Sequence, residues 1–252
     1  MTSYGALAEV YDHWTREFNY TRISDFVERT LGCELRDAEV LDACCGTGTL
    51  AYVLGQRGAH VAGIDRSSRM IEIAKAKVRS AGLSDIVKLF QADVVNSALP
   101  RRKFDLAMST FDSMNYLSPP QLKATLSAVA RSLKSGGIFV FDINSRHKLQ
   151  NVFGNTTYSE DFPDYRYIWR NRLDASQTFI DFEIEIFRTK QPDGSYLCRD
   201  LERHRQFIYD VDDLVSHLED AGFLRIRSSE DYSELPPRNE SLRITLIGRV
   251  DR

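Results

Sequence analysis

The sequence predicts an α/β fold: a doubly wound, mostly parallel sheet of seven strands with an antiparallel β meander inserted into it. Three observations carry this. Apolar runs of strand length alternate with helical periods between residues 39 and 144. Long segments of strict apolar–polar alternation then follow, separated by turn clusters. One more helical period and two short apolar runs close the chain.

Taken in order, residues 40–42 read as the first strand, ended by the small-residue stretch Ala43-Cys44-Cys45-Gly46-Thr47-Gly48 and a helix over 50–57. Residues 60–64 form the second strand. Ser67 then caps a helix with Met70, Ile71, Ala74 and Val78 on one face. Residues 86–90 and Phe104–Ser109 form the third and fourth strands. Pro119-Pro120 opens a helix, Gly136-Gly137 stops it, and residues 138–143 form the fifth strand. Helical connections of this length imply parallel strands covered on both faces. The meander is expected to have three strands, at Tyr165–Leu173, 177–189 and 197–210. A helix over 211–221, stopped by Gly222, precedes closing strands at 223–229 and 242–250.

Bulk properties narrow the function. The chain has 252 residues and a formal net charge of −3, with no block of like charge. A nucleic-acid partner normally needs a basic stripe, so none is expected. No apolar run reaches membrane-spanning length, and residues 1–10 lack the n- and h-regions of a secretory signal. A cytoplasmic protein, monomeric or homodimeric, is expected. Cys33, Cys44, Cys45 and Cys198 have no metal spacing, so they read as reduced thiols and no metal site is expected.

The loop after the first strand points to a ligand. Gly46 and Gly48 lack a Cβ and let a ligand approach bare backbone. Gly46 to Ala51 also fits the dinucleotide pattern G-x-G-x-x-A, and an NAD(P)-dependent oxidoreductase is one alternative. Asp42 argues against it, because a carboxylate at the strand mouth repels a pyrophosphate. It suits a cationic ligand carrying an amino group, such as S-adenosylmethionine.

Five stretches in register resemble the class I S-adenosylmethionine-dependent methyltransferases: residues 40–50, Gly63-Ile64-Asp65, Gln91-Ala92-Asp93, 104–117 and Leu133–Asn144. The resemblance covers the α/β core and implies a Rossmann-like fold that binds S-adenosylmethionine and releases S-adenosylhomocysteine. It implies that Asp42, Ala43, Gly46, Gly48 and Ser109 meet the methionine end. Asp65 would accept from the ribose hydroxyls, Arg66 and Met70 would flank adenine, and Asp93, with Ala92 and Val94, would hold its amino edge. Tyr11, in an N-terminal segment that also resembles small-molecule methyltransferases, would cover the cofactor. Cys44 stands where the family often has glycine, which suggests a backbone there that needs no glycine.

The acceptor side is less explicit. The stretch Asp112-Ser113-Met114-Asn115-Tyr116 lacks the N/D-P-P-Y/F motif and resembles the loop of small-molecule enzymes, including amino-sugar N-methyltransferases. His204 is the expected base because histidine titrates near working pH. Asp112 and Tyr20 are further candidates. Asn115, Tyr116, Asn144, Tyr165, Tyr167, Trp169 and Tyr232 are expected to bind the acceptor. The expected division is 1–38 as a helical cap, 39–144 as the cofactor-binding core, 145–210 as an inserted lid and acceptor region, and 211–252 as completion of the core. The expected reaction is methyl transfer to a small molecule, most naturally an amine nitrogen. O- or C-methylation and a non-catalytic cofactor-binding role remain alternatives.

Overall fold

The computed structural model describes residues 4–191 and 193–251. Two helices lead, α1 (Leu7–Trp14) and α2 (Tyr20–Leu31). The core follows as β1 (Glu39–Ala43), α3 (Thr49–Gln56), β2 (His60–Asp65), α4 (Ser68–Ser80), β3 (Val87–Gln91), β4 (Phe104–Ser109), α5 (Pro119–Ser132) and β5 (Leu133–Asn144). The insertion holds β6 (Thr157–Asp161), β7 (Tyr165–Leu173), β8 (Phe179–Lys190) and β9 (Tyr196–Phe207). The chain ends with α6 (Val211–Asp220), β10 (Leu224–Glu230) and β11 (Arg243–Arg249).

The seven-stranded sheet has the order β10-β11-β5-β4-β1-β2-β3. Its strands run parallel except β11, which is antiparallel to both neighbours. The strands are buried because helices cover both faces. Leu41, Ala107 and Phe139 look to one apolar layer, and Val40, Leu106 and Val140 to the other. Strand order reverses between β1 and β4, so the loops at their C-terminal ends part and leave a crevice.

Three features of the fold depart from the sequence reading beyond a shift of a residue or two at strand ends. Gly136-Gly137 does not stop α5, which ends at Ser132; both glycines lie inside β5. The amide of Gly136 donates to the Val250 carbonyl (2.7 Å), tying that turn to the end of the chain. The third meander strand stops at Phe207, short of 210. The insertion also has four strands instead of three, in the order β6-β7-β8-β9. The extra strand, Thr-Tyr-Ser-Glu-Asp, is a mostly exposed edge with no apolar face to give it a period-2 signature.

The alternation read for β8 is present. Ile180, Phe182, Ile184 and Ile186 are buried under the sheet. On the opposite face Asp181 and Glu183 pair with Arg205 and Arg203. Glu185 is itself buried and takes both Arg170 and Arg199.

Candidate active site

The loop from Ala43 to Gly48 turns sharply because three residues adopt left-handed backbone: Cys44 (φ 65°), Gly46 (φ 52°) and Gly48 (φ 73°). The expectation for Cys44 is thereby corrected. It occupies the conformation that favours glycine and tolerates it as a single residue. Gly48 has a second requirement, since a Cβ there would stand 2.8 Å from the Ala74 Cβ of α4. The Cys45 amide donates to the Ile64 carbonyl (2.9 Å), fastening the loop to β2. The Asp65 carboxylate completes the turn, accepting from the amides of Gly46 (2.9 Å) and Ser67 (2.8 Å). Each oxygen keeps a second lone pair for another donor.

Asp42 lies beneath this loop and is 1% exposed. Neither carboxylate oxygen has a hydrogen-bond partner in the chain. Burial, aided by the nearby Asp65 carboxylate, pushes its pKa up to about 7. The Ser109 hydroxyl, at the end of β4, is likewise buried without a partner. A buried carboxylate in this state is completed by a cation that donates hydrogen bonds.

Above the loop opens a cleft that is continuous with solvent. Gly46, Asp65, Arg66 and Met70 line one wall, and Ala92, Asp93 and Val94 another. Tyr11 and Tyr116 also line it. Nine of the predicted site residues are therefore brought together around one space. Asp42, Ala43, Gly48 and Ser109 stand behind that lining. Asp93 is itself held, accepting from the Val95 amide (3.0 Å) and the Asn96 side chain (2.9 Å).

Among the other lining residues, Tyr4 and Phe111 are ones the sequence reading missed. The Tyr4 hydroxyl donates to the Tyr116 hydroxyl (2.7 Å), so the segment before α1 lies across the cleft as a strap. Glu202 on β9 fastens it, accepting from the amides of Tyr4 (2.7 Å) and Leu7 (2.9 Å). Asp12 fastens the other end, accepting from the Thr47 hydroxyl of the glycine loop (2.6 Å). Strand parity held a signal for this anchor. Glu202, His204 and Gln206 share a face of β9, opposite the buried Ile184, Phe182 and Ile180 of β8. Polar residues on an apolar face need partners.

Several expected acceptor-side residues lie elsewhere, for physical reasons. His204 is buried, its Nε2 is 3.0 Å from Glu202, and the Tyr4 ring packs on it at 4.8 Å. Tyr4 and Tyr116 stand between it and the cleft, so it supports the strap. Tyr165, Tyr167 and Trp169 pack with α1 as a small core. Trp14 lies 4.7 Å from the Tyr167 ring and stacks on Trp169 at 5.7 Å. Asn115 and Asn144 are buried and bond to each other, the Asn144 amide donating to the Asn115 Oδ1 (2.9 Å). Tyr232 donates to the buried Asp142 and borders a separate small pocket behind Phe111. Tyr20 stays near the glycine loop, bordering a small space that shares Tyr11, Gly46 and Phe111 with the lining of the cleft.

Asp112 sits at the rim. Phe111 (φ 57°) and Asp112 (φ 52°) both hold left-handed backbone, a strain fixed by their amides donating to Asp142 at 2.8 and 2.7 Å. Arg243 pairs with Asp142 and reaches Asp112 at 3.4 Å.

A family model described as a methyltransferase domain matches residues 40–137, which contain the glycine loop, Asp65, Asp93 and Asp112. A full-length relative from Geobacillus sp. (strain WCH70), provisionally named a methyltransferase, is 28% identical over 250 residues, covering 98% of this chain and 99% of its own. The crystal structure of an S-adenosylmethionine-dependent methyltransferase from Clostridium acetobutylicum superposes with a TM-score of 0.86, at 29% identity and 99% coverage of both chains. These likenesses mark the protein as an S-adenosylmethionine-dependent methyltransferase, with a methyltransferase domain at residues 40–137. The oxidoreductase alternative is thereby set aside. The methyltransferase also shares its fold with the sugar N-methyltransferase KedS8 from Streptoalloteichus, with a TM-score of 0.74, 21% identity, and coverage of 100% of this chain and 97% of that one.

Proposed function

We propose that this methyltransferase acts on a small-molecule amine. The cofactor fits the cleft on the chain's own terms. Asp42, orphaned in the chain, and the backbone from Ala43 to Gly48 would receive the methionine end and its ammonium. Asp65 would take the ribose with its free lone pairs, and Asp93, Ala92 and Val94 would border the adenine. Arg66 and Met70 would flank the adenine as well. Tyr11 would present its ring to the sulfonium.

One observation carries the acceptor class: the phenols that line the cleft are poor bases. Burial raises the phenol pKa of Tyr4, Tyr11 and Tyr116, and the carboxylate of Asp112 raises each further. His204 is screened from the cleft, and Asp42 is committed below the loop. A hydroxyl acceptor needs proton removal as it attacks, whereas an amine brings its own lone pair once neutral. The cofactor, held by Asp42, the Ala43–Gly48 backbone and Asp65, would supply a methyl carbon on a sulfonium, with the C–S electron pair left on sulfur and the positive charge passed to the accepting nitrogen. The protein's part is to exclude water with the strap, align the two partners and hold the amine beside Asp112.

The test is S-adenosylhomocysteine formation with glucosamine, putrescine and tryptamine set against glucose, catechol and indole, from pH 6 to 9. Turnover confined to amines is expected, rising about tenfold per pH step as the ammonium loses its proton. Turnover of catechol, glucose or indole with every amine silent would replace the reading with O- or C-methylation.

A further inference from the structure

A chain of buried amides runs from Lys148 to the rim of the cleft. The Nζ of half-buried Lys148 donates to the Oδ1 of Asn144 (2.7 Å). The Nδ2 of Asn144 donates to the Oε1 of Gln206 (3.0 Å), and the Nε2 of Gln206 donates to the Oδ2 of Asp112 (2.6 Å). Asn144 and Gln206 are 3% and 2% exposed, so water does not compete for these bonds.

The two ends of the chain fix its direction. An ammonium has donors only, and an ionised carboxylate has acceptors only. With Lys148 at one end, Asn144 must turn its oxygen to it and its nitrogen to Gln206. Gln206 must then turn its nitrogen to Asp112. Were either amide flipped, two oxygens or two nitrogens would face each other inside the protein, where an unmade bond is costly. Asn115 keeps the seam in register, since its Nδ2 donates to the Phe207 carbonyl (2.9 Å) while its Oδ1 holds the Asn144 backbone. Phe153 covers the Lys148 ammonium, with Nζ 5.1 Å from the ring centroid.

At the far end, Asp112 is clamped through Oδ2 and only loosely reached by Arg243 through Oδ1. Its side chain keeps 18% of its exposure, and its neighbours Phe111 and Ser113 line the cleft. We propose that Lys148 is a positioning residue for methyl transfer: acting through Asn144 and Gln206, it sets Asp112 to accept a hydrogen bond from the amino group of an amine acceptor. This rests on the amine reading above and adds what fixes the recognising carboxylate.

The test uses protein saturated with S-adenosylhomocysteine. The carboxamide protons of Gln206 are followed by NMR in the parent, Lys148→Met and Lys148→Arg, with melting curves as a check on folding. Lys148→Met is expected to shift these signals and speed their exchange, and Lys148→Arg to restore them. In turnover with glucosamine, putrescine and tryptamine, Lys148→Met is expected to raise the amine KM about tenfold, the loss of one charge-assisted hydrogen bond, with kcat and S-adenosylhomocysteine affinity retained. Gln206 signals unmoved by Lys148→Met overturn the relay, as does an unchanged amine KM. If the Gln206 signals respond as stated but the parent turns over no amine, the relay stands and the amine reading falls.

Discussion

Replacing Asp42 with asparagine should stabilise the empty protein at pH 8 while crippling its hold on the cofactor. The buried carboxyl is raised from 3.8 to about 7. Below the lower value both folded and unfolded chains carry the proton. Between the two values the unfolded chain releases it and the folded chain keeps it, so stability falls as pH rises. Above about 7 the penalty is constant, and at 1.36 kcal/mol for each tenfold in proton affinity it amounts to at most about 4 kcal/mol. Asp42→Asn removes the ionisation and keeps the shape. A melting point raised by roughly 5–10 °C at pH 8, and nearly unchanged at pH 4, is expected for a chain of this size. Binding should move the other way. An ammonium ligand requires the ionised carboxylate, so the parent should release about 0.9 proton on taking up S-adenosylhomocysteine at pH 6 and about 0.1 at pH 8. Asp42→Asn should abolish that release and weaken affinity about 10- to 150-fold, the cost of roughly 1.5–3 kcal/mol for a lost charged hydrogen bond. Differential scanning calorimetry measures the first effect, and titration calorimetry in buffers of different ionisation enthalpy the second. A variant that melts lower than the parent at pH 8, or a parent whose uptake of ligand moves no proton at pH 6, would refute the reasoning.

Two further outcomes follow from neighbouring contacts. Asp65→Ala should weaken S-adenosylhomocysteine binding by roughly 1.5–3 kcal/mol in titration calorimetry, since the carboxylate both accepts from a ligand hydroxyl and shapes the turn at Gly46; unchanged affinity would mean the ribose lies elsewhere. Glu202→Ala strips the acceptor from the amides of Tyr4 and Leu7, at a cost of about 1–3 kcal/mol confined to the strap. Hydrogen exchange at Leu7 should accelerate with exchange in β4 and β5 unaltered; a protected Leu7 amide in that variant would show that the strap is held by something else.

The core was legible in the sequence because its signals are local. A parallel strand buried on both faces is an apolar run, its helix has a 3.6-residue period, and a ligand loop at the strand end needs small residues within a few positions. Asp65 and Asp93 are found the same way, as the residues where apolar runs stop. The strap and the acceptor side were less legible because their contacts are long-range. Tyr4 meets Glu202 across 198 residues, and Asp112 meets Gln206 across 94. No spacing rule connects such pairs. His204 shows how chemistry alone misleads: its residue type suited a base, but strand parity placed it opposite Phe182, inside the seam. Tyr165, Tyr167 and Trp169 share one face of β7, yet that face meets Trp14 of α1 before it can meet a ligand.

The inserted sheet therefore acts on the cleft through the inward polar row of β9. Glu202 holds the strap, His204 supports Glu202, and Gln206 holds Asp112. These three side chains alternate with arginines that face outward, so a register shift of one residue would put Arg203 and Arg205 into the seam and release both the strap and Asp112 together. The buried aliphatic row of β8 opposes such a shift, since Arg203 and Arg205 would then be buried against Ile180, Phe182 and Ile184. Packing of apolar residues far from the chemistry thus sets the registration of the polar groups that border it. It also separates the roles of the two sheets: the parallel sheet carries the ligand loops, and the inserted one fixes how they are covered.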